Sequence, residues 1–156
     1  FTVYRQPSLS MSPSVPEGAM FLVNTASLGS RDPRPGEMAV FLYPPNPRIA
    51  YLKRIIAAGG STIEIRGQQV YVDGKAIVEP YVASEVILAP EHEHLRAISP
   101  KPLDFEPFEV PEGQFFVLGD NRRNSEDSRV FGTVPRELMV GTFAGILFQP
   151  QGASDE

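Results

Sequence analysis

The sequence predicts an all-β, or mostly β, single domain over residues 1–150, followed by a frayed, disordered tail at 151–156. Three observations carry that expectation. The chain holds 16 prolines and 13 glycines in 156 residues, too many for a helical bundle and too few for a disordered chain. Its apolar residues come in short runs stopped by turn residues. Between two such runs stands Asp73-Gly74, the favoured two-residue hairpin turn.

In chain order, Phe1-Thr2-Val3-Tyr4 is an apolar stretch, and Pro16-Glu17-Gly18 is a turn that opens a short strand over residues 19–24. Pro33-Arg34-Pro35-Gly36 breaks the chain before a strand at 37–43, which Pro44-Pro45-Asn46-Pro47 stops. Residues 49–56 are apolar on both faces except at Lys53-Arg54, the pattern of a strand buried in a barrel or sandwich. After Gly59-Gly60, residues 62–66 alternate with period two and are expected to be half exposed; residues 69–72 enter the Asp-Gly turn, and the return strand starts near Ala76. Pro90, Pro100, Pro102, Pro107 and Pro111, with most of the excess acid, predict an irregular insertion over 82–112 with one short strand at 85–88. Residues 114–118 form the next strand and run into a polar loop at 119–129, and a strand at 140–148 closes the domain.

At 156 residues the chain is long enough to close a core without metal or disulfide staples. Its net charge of −5 is unevenly spread, the first 80 residues carrying eight basic and six acidic side chains and the rest six and thirteen. No basic face stands out, so nucleic acid is not an expected partner. The absence of cysteine excludes a thiol nucleophile, a zinc-cysteine site and a disulfide framework, and leaves the redox compartment open. No run approaches the roughly 20 apolar residues that span a bilayer. The chain starts at Phe1, so an upstream targeting or anchoring segment is expected to have been removed.

Chemistry centres on Pro7-Ser8-Leu9-Ser10-Met11-Ser12-Pro13, which offers hydroxyls between two prolines. A serine hydroxyl needs a base. The two histidines, His92 and His94, sit in an acidic, proline-bounded segment that reads as a solvated loop. Of three lysines, Lys75 follows the Asp-Gly turn and Lys101 lies between prolines; only Lys53 lies in an apolar run. A lysine of reference pKa about 10.4 is neutral in under about 1% of molecules at pH 7, but burial disfavours the ammonium. A drop of roughly two units costs about 3 kcal/mol, tolerable for a domain worth about 5–15 kcal/mol. The bland alternatives are a strand lysine whose head reaches water, an ordinary serine turn, and a structural salt-bridge loop at 119–129. Calcium at residues 120–127 is disfavoured by Arg122 and Arg123 inside the loop and by the ligand spacing.

Four motifs, in order, carry a resemblance: the serine stretch 7–13, Pro35-Gly36-Glu37-Met38-Ala39-Val40-Phe41, Tyr51-Leu52-Lys53-Arg54-Ile55-Ile56, and the Gly-Asp-Asn-Arg, Asn-Ser and Asp-Ser-Arg elements of residues 119–129. The chain resembles the catalytic domain of type I signal peptidases, membrane-bound serine proteases with a serine/lysine dyad. The resemblance implies a complex β fold of coiled antiparallel sheets with short helical turns, the 82–112 insertion standing in place of a larger second domain. It implies Ser10 as nucleophile and Lys53 as general base. It further implies an oxyanion hole from the Ser8 side chain and the Ser10 N–H, Ser125 as the group orienting the lysine, and support from Asp120, Asn121, Asp127 and Arg129, the last two as an ion pair.

Pro7, Met11, Tyr51 and Leu52 are the expected substrate contacts, the substrate binding as an added strand with alanine-sized residues at the cut and two positions earlier. No metal or other cofactor is implied. Expected partners are signal peptides of secretory preproteins and a lipid surface met by residues 1–4 and 20–22, the domain being membrane-anchored on the extracytoplasmic side of the bacterial inner membrane. Two other readings stay open: a self-cleaving SOS-repressor-type Ser/Lys peptidase, which predicts an internal Ala-Gly site that does not precede Ser10, and a non-catalytic peptide-binding module on the same fold.

Overall fold

The computed structural model describes residues 1–82 and 104–151. Eleven strands are described: β1 Thr2–Arg5, β2 Met20–Asn24, β3 Met38–Leu42, β4 Ala50–Ala58, β5 Thr62–Arg66, β6 Gln69–Val72, β7 Lys75–Ala76, β8 Phe105–Glu109, β9 Gln114–Leu118, β10 Val134–Pro135 and β11 Met139–Phe148. One four-residue helix, α1 Ser128–Phe131, and short 3-10 turns at Ser27–Gly29 and Arg136–Leu138 complete them. The strands form a seven-stranded sheet, β1-β2-β11-β3-β4-β9-β10, and a four-stranded sheet, β7-β6-β5-β8.

The mostly β expectation holds, and most strands lie within two residues of their expected bounds. Asp73 and Gly74 both take positive φ, 51° and 78°, as a two-residue hairpin turn demands, and Val72 pairs with Lys75 across it. One expectation needs correction. Within the stretch read as irregular, Phe105–Glu109 is a strand, with Phe105 opposite Ile65 and Phe108 opposite Ile63. Pro107 argued against it, but β8 is a sheet edge, where a missing N–H costs no ladder bond. The expected strand at 85–88, His92, His94 and residues 152–156 of the expected tail lie outside the described residues.

The core has three parts. Ile56, Ala57, Phe116 and Leu118 of the large sheet close against Ile63, Ile65, Val70 and Val110 on the small one. Ala39, Phe41, Ile55, Val117 and Val134 build a second part. Met11, Val15, Phe21, Val23, Val40 and Leu52 build the third. Strand β4 serves all three because successive side chains alternate between faces: Leu52 and Ile56 go one way, Tyr51 and Ile55 the other.

Candidate functional site

The chain past β1 stays paired, Gln6 N–H donating to the Ala19 carbonyl at 2.8 Å and Gly18 N–H to the Gln6 carbonyl at 2.7 Å. It then turns through residues 8–15, closed by Ser12 N–H to Leu9 O at 3.0 Å and Val15 N–H to Met11 O at 2.9 Å. Met11 and Val15 are fully buried and hold this turn to the core. Of the expected substrate contacts, the structure places Met11 in the core: at zero exposure its side chain packs with Phe21 and Val40, and it is not among the residues that line the cleft described below.

Strand β4 brings Lys53 to the same place, and Lys53 Nζ lies 2.7 Å from Ser10 Oγ. Lys53 is 4% exposed and Ser10 6%. Two further groups reach the hydroxyl: Ser8 Oγ at 3.1 Å and Gln6 Nε2 at 3.4 Å. The Ser10 N–H donates to Ser8 Oγ at 3.4 Å, so backbone donor and side-chain hydroxyl converge beside the nucleophile candidate. Lys53 Nζ also stands 5.3 Å from the Tyr51 ring centre.

Loop 119–129 locks this arrangement. Asn121 N–H donates to the Ser10 carbonyl at 3.0 Å, and its side-chain amide to the Leu9 carbonyl at 3.1 Å, so Asn121 clamps the backbone that carries the hydroxyl. Asp120 accepts both arms of the Arg54 guanidinium, at 2.9 and 2.7 Å, and the Ser14 hydroxyl at 2.5 Å, tying β4, the serine turn and the loop at one carboxylate. Arg54 is covered by the Tyr81 ring, 3.8 Å from its guanidinium carbon.

Asp127 pairs with Arg129 through two bonds of 2.9 Å, caps α1, and accepts the Gly119 N–H at 3.0 Å. Burial pushes the Asp127 carboxyl pKa up, but the Arg129 hydrogen bonds and charge, the Gly119 N–H and the Ser125 side chain together outweigh it and hold the pKa below the usual value. Ser125, 2% exposed, packs on Gly119 so closely that a Cβ there would meet its Oγ at 2.1 Å and the Ser10 carbonyl at 2.6 Å.

A cleft of about 330 Å³ is lined by Ser10 and Lys53. Gln6, Pro7 and Ser8 form one wall, Ala50, Tyr51 and Leu52 the other, and Phe21 and Val40 line it as well. Of the expected substrate contacts, Pro7, Tyr51 and Leu52 line it. The second wall has a free edge: β9 joins β4 only from Arg54 onward, so residues 50–53 have β3 on one side and, among the described residues, no strand on the other.

Several participants were not singled out in the sequence. Arg54 and Arg122 stand inside the quoted motifs, and two arginines at such positions call for carboxylates; Arg54 takes Asp120, and Arg122 takes Glu79 while donating to the Gly119 carbonyl at 2.8 Å. Gln6 carries no such signal. Among the described residues, no three His, Cys, Asp or Glu side chains are grouped to hold a metal, and no helix is long and apolar enough to cross a membrane.

The family description "Signal peptidase, peptidase S26" matches residues 1–148. A probable signal peptidase I-2 of Synechocystis sp. is 36% identical over 140 residues, 86% of this chain and 57% of that protein. A signal peptidase I of Bacillus amyloliquefaciens is 33% identical over 149 residues, 95% of this chain and 74% of that protein. Two Synechocystis relatives are thus spanned over only 57% and 65% of their lengths. In three dimensions the chain is similar to the crystal structure of a signal peptidase I from Enterococcus faecalis, at a TM-score of 0.57 and 32% identity, over 73% of this chain and 98% of that one. With the match running through the serine turn, strand β4 and loop 119–129 alike, the chain belongs to the signal peptidase family, peptidase S26.

Proposed function

We propose that this domain is a serine endopeptidase that removes signal peptides from exported preproteins, with Ser10 as nucleophile and Lys53 as general base. The observation that carries the reading is the 2.7 Å contact of Lys53 Nζ with Ser10 Oγ, both lining an open cleft. Burial of Lys53 favours its neutral amine, the form that accepts a proton. Lys53 takes the Ser10 proton as Oγ bonds to the scissile carbonyl carbon; the C–N bond then breaks, and Lys53 returns the proton to the leaving amine. Water, deprotonated by the same amine, cleaves the acyl ester and regenerates Ser10. The Ser8 hydroxyl, which here donates to Ser10 Oγ, and the Ser10 N–H, which here donates to Ser8 Oγ, both donate instead to the developing oxyanion. Ser125 orients the lysine, while Asp120, Asn121, Asp127 and Arg129 act through position.

The substrate adds as a strand to the free edge of residues 50–53, its small side chains over Phe21 and Val40. No cofactor takes part. The domain works against the extracytoplasmic face of a membrane. Supporting the membrane contact is an apolar surface built by pairing: Val3 lies opposite Leu22, Phe148 opposite Met20, and Phe1, Val3, Met20, Leu147 and Phe148 are all exposed.

Cleavage of a peptide with Ala-X-Ala before the scissile bond, in detergent from pH 6 to 10, tests the reading. Activity should rise through a lysine-like pKa and vanish in Ser10→Ala and Lys53→Ala, with a milder loss in Ser125→Ala. Cleavage retained by Lys53→Ala would refute the dyad.

A further inference from the structure

Loop 119–129 places one charge where the clamp has no use for it. Ser125 and Asp127 are buried, but Glu126 between them is exposed and lines the same cleft as Lys53. It is held there. The Tyr43 hydroxyl donates to Glu126 Oε1 at 2.7 Å, and the Tyr43 ring stacks on Tyr51 at 4.5 Å with the planes 14° apart. Tyr43 therefore keeps its proton to about pH 12, first because of that bond and then because of desolvation and the carboxylate's charge. A carboxylate accepts more than one donor, so the Tyr43 bond leaves Glu126 with capacity for another.

Strand alternation decides which substrate residue meets it. In a strand added to residues 50–53, neighbouring residues point to opposite faces. If small residues lie on the Leu52, Val40 and Phe21 side, the residue between them lies on the Tyr51 side, where Tyr43 and Glu126 stand. Among the described residues, the other exposed charge lining the cleft is Arg5, at the end of β1.

We infer that Glu126, positioned by Tyr43, selects the side chain between the two small residues before the cut and favours a basic one over a neutral or acidic one. The inference rests on the peptidase reading and its strand-like substrate. It gives Glu126 a specificity role, with no part in proton transfer.

The test compares kcat/KM for three peptides that differ only in that residue: Lys, Gln or Glu. An exposed ion pair contributes modestly, so Lys should exceed Gln by about three- to fivefold at low salt, Gln should exceed Glu, and the spread should shrink in high salt. Glu126→Gln should level the series, and Glu126→Lys should invert it. Binding of the same labelled peptides to Ser10→Ala, by fluorescence anisotropy, reads the ranking without turnover. A flat series in the wild-type protein, or a ranking that survives Glu126→Gln, overturns the inference. Absence of cleavage together with the ranked binding would count against the peptidase reading and leave the role of Glu126 standing.

Discussion

Replacing Gly119 by alanine separates a site held by geometry from one held by contacts alone. A Cβ at 119 would stand 2.1 Å from Ser125 Oγ and 2.6 Å from the Ser10 carbonyl oxygen. To reach even 3.0 Å, the Ser125 hydroxyl must retreat by 0.9 Å and the Ser10 carbonyl by 0.4 Å. The carbonyl is held by the Asn121 N–H it accepts, and Gly119 cannot back away because it donates to Asp127. Misplacement by about 1 Å in a catalytic arrangement costs on the order of 100-fold, so kcat should fall about 10- to 100-fold with KM little changed. Overpacking should cost about 1–3 kcal/mol, a Tm decrease of about 3–10 °C for a chain of this size.

Gly59→Ala is the control. There a Cβ would meet the Glu112 Cα and Pro111 carbonyl at 2.7 Å, a backbone clash close to the 2.6 Å one with the Ser10 carbonyl but beside the small sheet. It should destabilise to a similar extent while the folded fraction keeps its kcat. Peptide cleavage below each variant's melting range, with urea denaturation in parallel, separates the two effects. Wild-type kcat in Gly119→Ala, or an equal kcat loss in Gly59→Ala, would refute the argument.

Asp120→Asn leaves the buried Arg54 without its carboxylate and should destabilise by about 3–5 kcal/mol in urea, whereas replacing both partners with apolar residues should cost much less; equal losses would mean the pair is not the source. Because the Asp127 pKa lies below its unfolded value of about 3.9, its stabilisation is present above that pH and is lost as pH falls through the lower folded value; urea midpoints from pH 7 to 2 should show a shallower acid decline in Asp127→Asn, from a lower neutral plateau. Gln6→Ala removes the amide that reaches the Ser8 carbonyl and both hydroxyls, and should lower kcat about three- to tenfold with circular dichroism unchanged; an unchanged kcat would leave Gln6 a purely structural residue.

Much of this protein was legible along the chain because its signals are local. Period-two alternation at 62–66, the Asp-Gly turn and the proline breakers each act within a few residues, and they set the strands of both sheets. The same holds for Lys53, since a lysine inside an apolar run needs no partner to be conspicuous. Strand β8 was missed for the converse reason. Pro107 is unfavourable inside a sheet and harmless at an edge, and only the strand order β7-β6-β5-β8 says which applies.

The tertiary structure decided the rest, because contacts between residues about a hundred positions apart leave no periodic trace. Ser14 and Asp120 meet across 106 residues, and Arg54 and Asp120 across 66. Met11, beside the reactive hydroxyl in sequence, turns into the core because packing fills the space beneath the loop. Gln6 and Glu126 read as ordinary polar residues until the fold brings the segment after β1 and loop 119–129 to one cleft. Sequence alone determined which groups could do chemistry; the folded chain determined which lie within hydrogen-bonding distance, since only packing fixes the angle and depth at which side chains converge.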